Sequence, residues 1–308
     1  MRRILLIFLF SFFCLCSLNG QTVDLNGFWQ FRFDRGAVLE DVADPKFEAN
    51  DLLNVPGCFD VLHKYNKQRG TAQYRKVISI DSPASNAFWC IDGMGLRGRF
   101  YVDGKEIGYS NVPYSYIVLP TGPLSAGRHV LSVALDNNFN PEKLKLFLPF
   151  YDFYAFGGFY HGMSLKLQTN RIQLDRVIVR TKDYKKGIVE LELKALGDAS
   201  LPSKFNAFVK FDDNEVASVK FEKGKSIVSV PNFKIWSPET PNLHTVQVSY
   251  SGVSVKSRFG LRSIEVCGQD ILLNGEKIFL KGVNRHESHP TFGAATPAQL
   301  MQSDISLI

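Results

Sequence analysis

LLNGEKIFLKGVNRHESHPTFGAATPAQLMQSDISLI, residues 272–308, is the stretch on which the fold turns. Asn274–Gly275 suits a turn that needs positive φ at both central positions, so it predicts a tight hairpin. Ile278–Val283 is a mostly apolar run interrupted only by Lys281 and reads as a strand. Thr296 then fits a helix N-cap, Pro297 the first helical position, and Gln299 the far end of a T-x-x-Q capping box. Leu300, Met301, Ile305 and Ile308 fall on one face of that helix, which makes it amphipathic. No Gly, Asn or basic last turn closes it, so the chain is expected to run on past Ile308. Strand followed by helix is the start of a βα unit, whose strand needs parallel neighbours on both sides.

Working back from this stretch, residues 171–266 alternate apolar and polar positions in six short runs. These are Ile188–Leu196, Phe205–Phe211, Ala217–Phe221, Ser226–Val230, Thr245–Tyr250 and Val253–Phe259. Their spacing is that of an immunoglobulin-like β-sandwich of about 100 residues, without the Cys…Trp…Cys pattern of true immunoglobulin domains. Residues 21–170 also read as all-β. Asp103–Gly104 predicts a type I′ hairpin, and Val130, Ser132, Ala134 and Asp136 alternate with Leu131, Val133 and Leu135 as in a half-buried strand. So many short strands close most naturally as a jelly-roll-like sandwich. The fold class is therefore mostly β.

Residues 1–20 read as a secretory signal: Arg2 and Arg3, an apolar run from Ile4 to about Cys16, then small and polar residues through Gly20. That run is shorter than the ~20 residues a membrane-spanning helix needs, and no later run is long enough. The expected location is thus periplasmic or secreted. Export leaves Cys58, Cys90 and Cys267, an odd and widely spaced set that predicts buried free thiols rather than a disulfide framework or a zinc motif. The formal charge is +6, of which Arg2 and Arg3 supply two, leaving +4 on the exported chain. Its basic residues are scattered rather than interleaved with aromatics on one face, which argues against a nucleic-acid partner. No residue set specifies a cofactor, a metal or an oligomeric state.

The run F-L-K-G-V-N-R-H-E-x-H-P, Phe279 to Pro290, resembles the first barrel strand of glycoside hydrolase family 2, which includes β-galactosidases, β-glucuronidases and β-mannosidases. L-N-G-x-W-x-F (Leu25 to Phe31), V-P-G (Val55 to Gly57), W-S-P-E-x-P-x-L (Trp236 to Leu243) and R-F-G-x-R-x-I-E-V (Arg258 to Val266) extend the resemblance over nearly the whole exported chain. It implies a signal peptide (1–20), a sugar-binding-like sandwich (21–170), an immunoglobulin-like sandwich (171–266), and the first strand and partial first helix of a TIM barrel (267–308). A complete barrel takes ~250 residues. The resemblance also implies retaining hydrolysis of β-linked glycosides, β-galactosidase-like, by two glutamates on later barrel strands. No catalytic residue is therefore assigned within these 308 positions, and the chain alone is expected to be inactive.

Two residues are assigned to substrate. His286 stands at the C-terminal end of the first barrel strand, the face on which barrel active sites are built. By resemblance it donates hydrogen bonds to sugar hydroxyls, while Asn284, Arg285 and His289 position the loop and Glu287 orients or pairs with Arg285. Asp152 lies in LPFYDFYAFGGFYHG (Leu148 to Gly162), similar to a family stretch whose aspartate reaches the sugar pocket. His161 and Phe159 replace that stretch's arginine and isoleucine. Aromatics at such spacing, here Tyr151, Phe153, Tyr154 and Phe156, belong more often to a core than to a sugar platform. YSNVPYSYIVL, Tyr109 to Leu119, lacks the glycines of the corresponding family loop. The competing reading is a non-catalytic carbohydrate-binding β-sandwich protein, and a structural protein of stacked sandwiches ranks below both.

Overall fold

A computed structural model of the chain describes residues 21–42, 46–140, 142–143, 154–168, 172–197 and 200–308. The expected leader at residues 1–20 and the candidate ligand Asp152 lie outside the described residues. No described helix is long and apolar enough to cross a membrane.

The first part is two facing antiparallel sheets. A six-stranded sheet runs in the order Asp51–Val55, Gly27–Arg35, Gly70–Ile80, Gly127–Asp136, Arg97–Val102 and Lys105–Ser110. A four-stranded sheet of Thr22–Asp24, Met163–Gln168, Ala84–Ile91 and Ile117–Leu124 covers its inner face. Alternate residues of both point inward, so Trp29, Phe31, Tyr74, Trp89 and Phe100 form one buried aromatic core, which Phe159 joins from outside the two sheets. Trp29 and Trp89 stack at 6.0 Å, and the Trp29 indole N–H is satisfied by the Leu25 carbonyl at 2.9 Å. Each such side chain contributes roughly 2–3 kcal/mol by leaving water. Asp103 (φ 51°) and Gly104 (φ 83°) form the expected hairpin between Arg97–Val102 and Lys105–Ser110.

The alternation over residues 130–136 suggested one wet face, yet the strand is buried from Leu131 to Asp136. The segment between Gly27–Arg35 and Asp51–Val55 explains this. It buries Leu39 and Phe47 and carries Glu40 to within 2.8 Å of buried Arg97, which also bonds Asp136 at 2.6 Å.

The second part is a single seven-stranded sheet: Leu174–Asp183, Ile188–Ala195, Lys225–Ser229, Ala217–Glu222, Lys204–Phe211, His244–Tyr250 and Val253–Phe259. Its first and last strands pack together, so it wraps around a core of Val189, Leu191, Phe221, Val246 and Val248. The strand Leu174–Asp183 was not among the six runs read from the sequence. Its cations obscure the periodicity, and Arg180 uses its charge across the strands on Glu190 and Glu192. Both parts share one latch. The His129 Nδ1 meets Asp103 at 2.7 Å while the other Asp103 oxygen accepts the Val130 N–H at 2.8 Å. His244, Asp212 and the Thr245 N–H repeat it at 2.7 Å and 2.7 Å.

Residues 264–277 form a small meander, Ile264–Cys267, Asp270–Leu273 and Glu276–Lys277, turned at Asn274–Gly275 as expected. Two expectations fail beyond it. Residues 278–283 form no strand: Phe279 is 83% exposed and Val283 66%, because no parallel neighbour is there to complete a ladder. The helix Ala298–Leu307 forms, but Thr296 does not cap it. Pro297 is the N-cap without a side-chain bond, and buried Thr296 instead turns its hydroxyl to the Gly293 carbonyl at 3.3 Å. None of the helix is buried. The three described cysteines are free; Cys58 and Cys90 are buried as expected, whereas Cys267 is exposed.

Candidate functional site

The V-P-G-C turn gives the site its first support. Gly57–Cys58 pairs with Gly158–Phe159, which pairs in turn with Met94–Gly95, a three-stranded patch at one end of the sandwich. The backbones come close because Gly157 and Gly158 carry no Cβ. One at Gly157 would stand 2.4 Å from the Phe59 ring, and one at Gly158, whose φ is 137°, 2.2 Å from the Gly57 carbonyl. Around this patch the Tyr114 N–H donates to Met94 O (3.2 Å), the Tyr160 N–H to Gly93 O (3.0 Å) and the Asp92 N–H to Gly162 O (3.0 Å). Three loops distant in sequence are so fixed side by side. Tyr114 and Tyr160 stack at 5.0 Å, and Tyr154 tilts onto Phe156 at 4.7 Å.

Residues 285–295 come over this platform. Cys58, Tyr160 and Ala294 bury one another, with Val61, Phe156 and Ala295 packed on them. Burial pushes the Cys58 thiol up to about 12, so it stays neutral in this apolar joint. The joint holds open a pocket of about 620 Å³ between the sandwich and residues 285–294. One wall is Asp92, Tyr114, Tyr154, Phe156, Tyr160 and His161; the other is Arg285, His286, Glu287 and Ser288. Aromatic faces beside imidazole, hydroxyl and carboxylate groups can stack on a sugar ring and bond its hydroxyls.

The structure places His286 in this pocket. Glu287 lines it too, but does not pair with Arg285, whose guanidinium binds Asp304 on the helix with Nε at 2.8 Å. Asp304 is one residue type the strand motif could not reveal, since it returns from nineteen positions on. His289 holds the loop, accepting the Thr291 N–H at 3.1 Å and bridging to Gly293. Tyr154 and Phe156 line the pocket, and Phe156 also packs against the buried joint. Tyr114, Tyr160 and Asp92 had no sequence signal as site residues. Tyr114 lies in the loop without the family's glycines, where its own φ of 61° supplies the left-handed turn.

Behind the aromatic wall is a buried polar cluster. Asp60 Oδ2 accepts the Gly157 N–H at 2.9 Å and the Asn137 amide at 3.1 Å, with Arg69 at 3.6 Å. Burial pushes Asp60 up to about 6, against the pull of the Gly157 N–H and the Arg69 charge. Among the described residues no group of three or more His, Cys, Asp or Glu is arranged to hold a metal ion.

The family Glycosyl hydrolases family 2 matches residues 171–262, and its TIM barrel domain matches residues 264–308. A Formosa agariphila protein provisionally assigned as a beta-glucuronidase is 25% identical over 94% of this chain and 37% of its own length. The GH2 beta-galacturonidase from Eisenbergiella tayi, solved bound to galacturonate, is 26% identical with a TM-score of 0.76, over 94% of this chain and 52% of that one. A Ruminococcus gnavus beta-glucuronidase shares the fold at 18% identity, with a TM-score of 0.77 over 94% of this chain and 53% of its own. The chain thus spans a little over a third of the curated relative and about half of the solved ones.

Proposed function

The chain belongs to glycoside hydrolase family 2, and from that premise we propose that it supplies one side of the sugar pocket of an exported enzyme acting on β-linked uronic acid glycosides. The observation that carries this reading is the meeting of the N-R-H-E loop with an aromatic platform around a pocket of about 620 Å³. The pocket is large enough for a monosaccharide. Its aromatic faces suit the apolar face of a pyranose, and His286 and His161 suit its hydroxyls. The likeness to a beta-glucuronidase and a beta-galacturonidase supports glucuronate or galacturonate as the glycone rather than galactose.

The reaction is proposed to be retaining hydrolysis, which needs two carboxyl groups about 5–5.5 Å apart, one as nucleophile and one as acid/base. Glu287 and Asp92 line the pocket, and neither is assigned such a role. The pair is proposed to come from barrel strands beyond residue 308, and the role of this chain is to bind and orient. Export is proposed from the leader-like residues 1–20.

Assaying aryl β-glucuronide, β-galacturonide and β-galactoside tests both parts. The 308-residue chain should hydrolyse none, and the protein extended through a complete barrel should prefer the uronides. Turnover by the short chain, or a preference for galactoside, would overturn the corresponding part.

A further inference from the structure

Asp60 belongs to no motif, and the sugar reading makes no use of it. Its carboxylate is fully buried, and Oδ1 has no hydrogen-bond partner among the described residues. An ion in that position is a poor stabiliser, because desolvation outweighs what one oxygen's partners return. Its bonds nevertheless converge on one place. Oδ2 holds the Gly157 N–H at 2.9 Å. Arg69, 3.6 Å away, lies over the Tyr154 ring at 4.3 Å and donates to the Ala155 carbonyl. Asn137 ties the cluster to the sandwich, donating to Asp60 Oδ2 and to Gln68 O (3.0 Å) and accepting the Gly70 N–H at 3.0 Å. Residues 154, 155 and 157 are each gripped, and Tyr154 and Phe156 between them face the pocket.

We propose that Asp60, acting with Arg69 and Asn137, is a positioning residue of the sugar pocket: it fixes the backbone of residues 154–157 so that Tyr154 and Phe156 present their rings to the bound glycone. The ligand in this statement rests on the uronide reading above; the clamp on the wall does not. Among the described residues, the groups facing Asp60 are Cys58 from its own turn, Arg69 just before the strand Gly70–Ile80 and Tyr74 within it, Tyr154 from the wall, and Asn137. Burial raises the Cys58, Tyr74 and Tyr154 protons well out of the neutral range, leaving Arg69 the only charged neighbour among the described residues. Acidification from pH 7.5 to 5 therefore neutralises Asp60 alone within the cluster and releases Arg69. Uronate affinity should fall over that range through the wall, not through direct contact.

The experiment compares the full-length protein with Asp60→Asn, which keeps the shape and an acceptor for Gly157 but removes the charge. Affinity for galacturonate is measured by calorimetry from pH 5 to 7.5, and hydrogen–deuterium exchange of peptides over 154–162 is followed, with 127–136 as a control. The expected result at pH 7.5 is at least a tenfold weaker Kd for D60N and faster exchange over 154–162 only. D60N should also lack the wild-type loss of affinity below about pH 6. Every group other than residue 60 is common to both proteins, so the comparison isolates the Asp60 charge. Unchanged affinity, exchange and pH profile in D60N would overturn the proposal. Should D60N fail to fold, Arg69→Gln, at a partly exposed position, is expected to give the same exchange and affinity changes, and its failure to do so would count equally against it. A wild-type protein that binds no uronate would overturn the uronide reading, while the exchange comparison would still decide the clamp.

Discussion

The two walls of the pocket are built by opposite means. The sandwich wall is braced from behind: a buried three-stranded patch and the Asp60–Arg69–Asn137 cluster back it, and exposed Tyr114 stacks on buried Tyr160 at its face. The wall of residues 285–288 is exposed throughout; it is anchored from one side by the buried Cys58–Tyr160–Ala294 joint and otherwise tied by Arg285 to Asp304 and the His289–Gly293 bridge. The difference follows from strand chemistry. The antiparallel strands behind the sandwich wall all lie within residues 21–168, although its patch joins segments about a hundred residues apart, whereas a parallel barrel strand needs strand neighbours on both sides. One wall therefore has its strand partners in place, and the other lacks a ladder among the described residues.

Breaking the braced wall should cost most. Gly157→Ala drives a methyl into the buried Phe59 ring, and about 3 kcal/mol of stability is expected to go with it. Thermal unfolding should show a clear drop in Tm together with loss of galacturonate binding. An unshifted Tm would mean that the wall is far softer than its contacts indicate.

The buried carboxylate sharpens the same point through pH. Asp60 is raised from 3.8 to about 6 in the fold, so its favourable share is full below 3.8 and is lost as pH rises to 6. That share corresponds to about 3 kcal/mol. Urea unfolding from pH 4 to 7 should show this decline in the wild type and its absence in D60N; parallel curves would contradict it.

A smaller effect should come from the far end of the sandwich, which leaves both walls alone. Burial lowers His129, and the Asp103 carboxylate with the Ser125 carbonyl more than offsets it, so its pKa is raised. Its stabilisation is present in full below the unfolded value of about 6.5 and disappears as pH rises through the folded one. Because Asp103 is half exposed, His129→Ala is expected to cost only about 1 kcal/mol at pH 6 and less at pH 8. Equal losses at both pH values would remove the charged latch from the account. Smallest of all, Asp304→Ala should cost under about 1 kcal/mol and only at low salt, since the pair with Arg285 is open to solvent. A salt-independent loss would mean that the second wall is better braced than its exposure implies.

What could be read from the sequence divides along the same line. Asp103–Gly104 and Asn274–Gly275 announce their hairpins because a type I′ turn is a local demand on two residues. The strand-end motif marks His286 as a candidate ligand, and the residue lines the pocket. Thr296 misled because its hydroxyl found the Gly293 carbonyl in place of the helix N-terminus, and Ile278–Val283 misled because a strand exists only with partners. Tyr114, Tyr160 and Asp60 were illegible for a third reason. Each is brought to the site by pairing between segments dozens of residues apart, and nothing in its own neighbourhood records that.

The central claim is that the two walls together hold a uronic acid glycone. Calorimetric titration of the protein with D-galacturonate, D-glucuronate and D-galactose, in the wild type and in His286→Ala, tests it most directly. At least tenfold tighter binding of a uronate than of galactose, lost in H286A, is the result expected; equal affinity for galactose, or uronate binding untouched by the substitution, would contradict it.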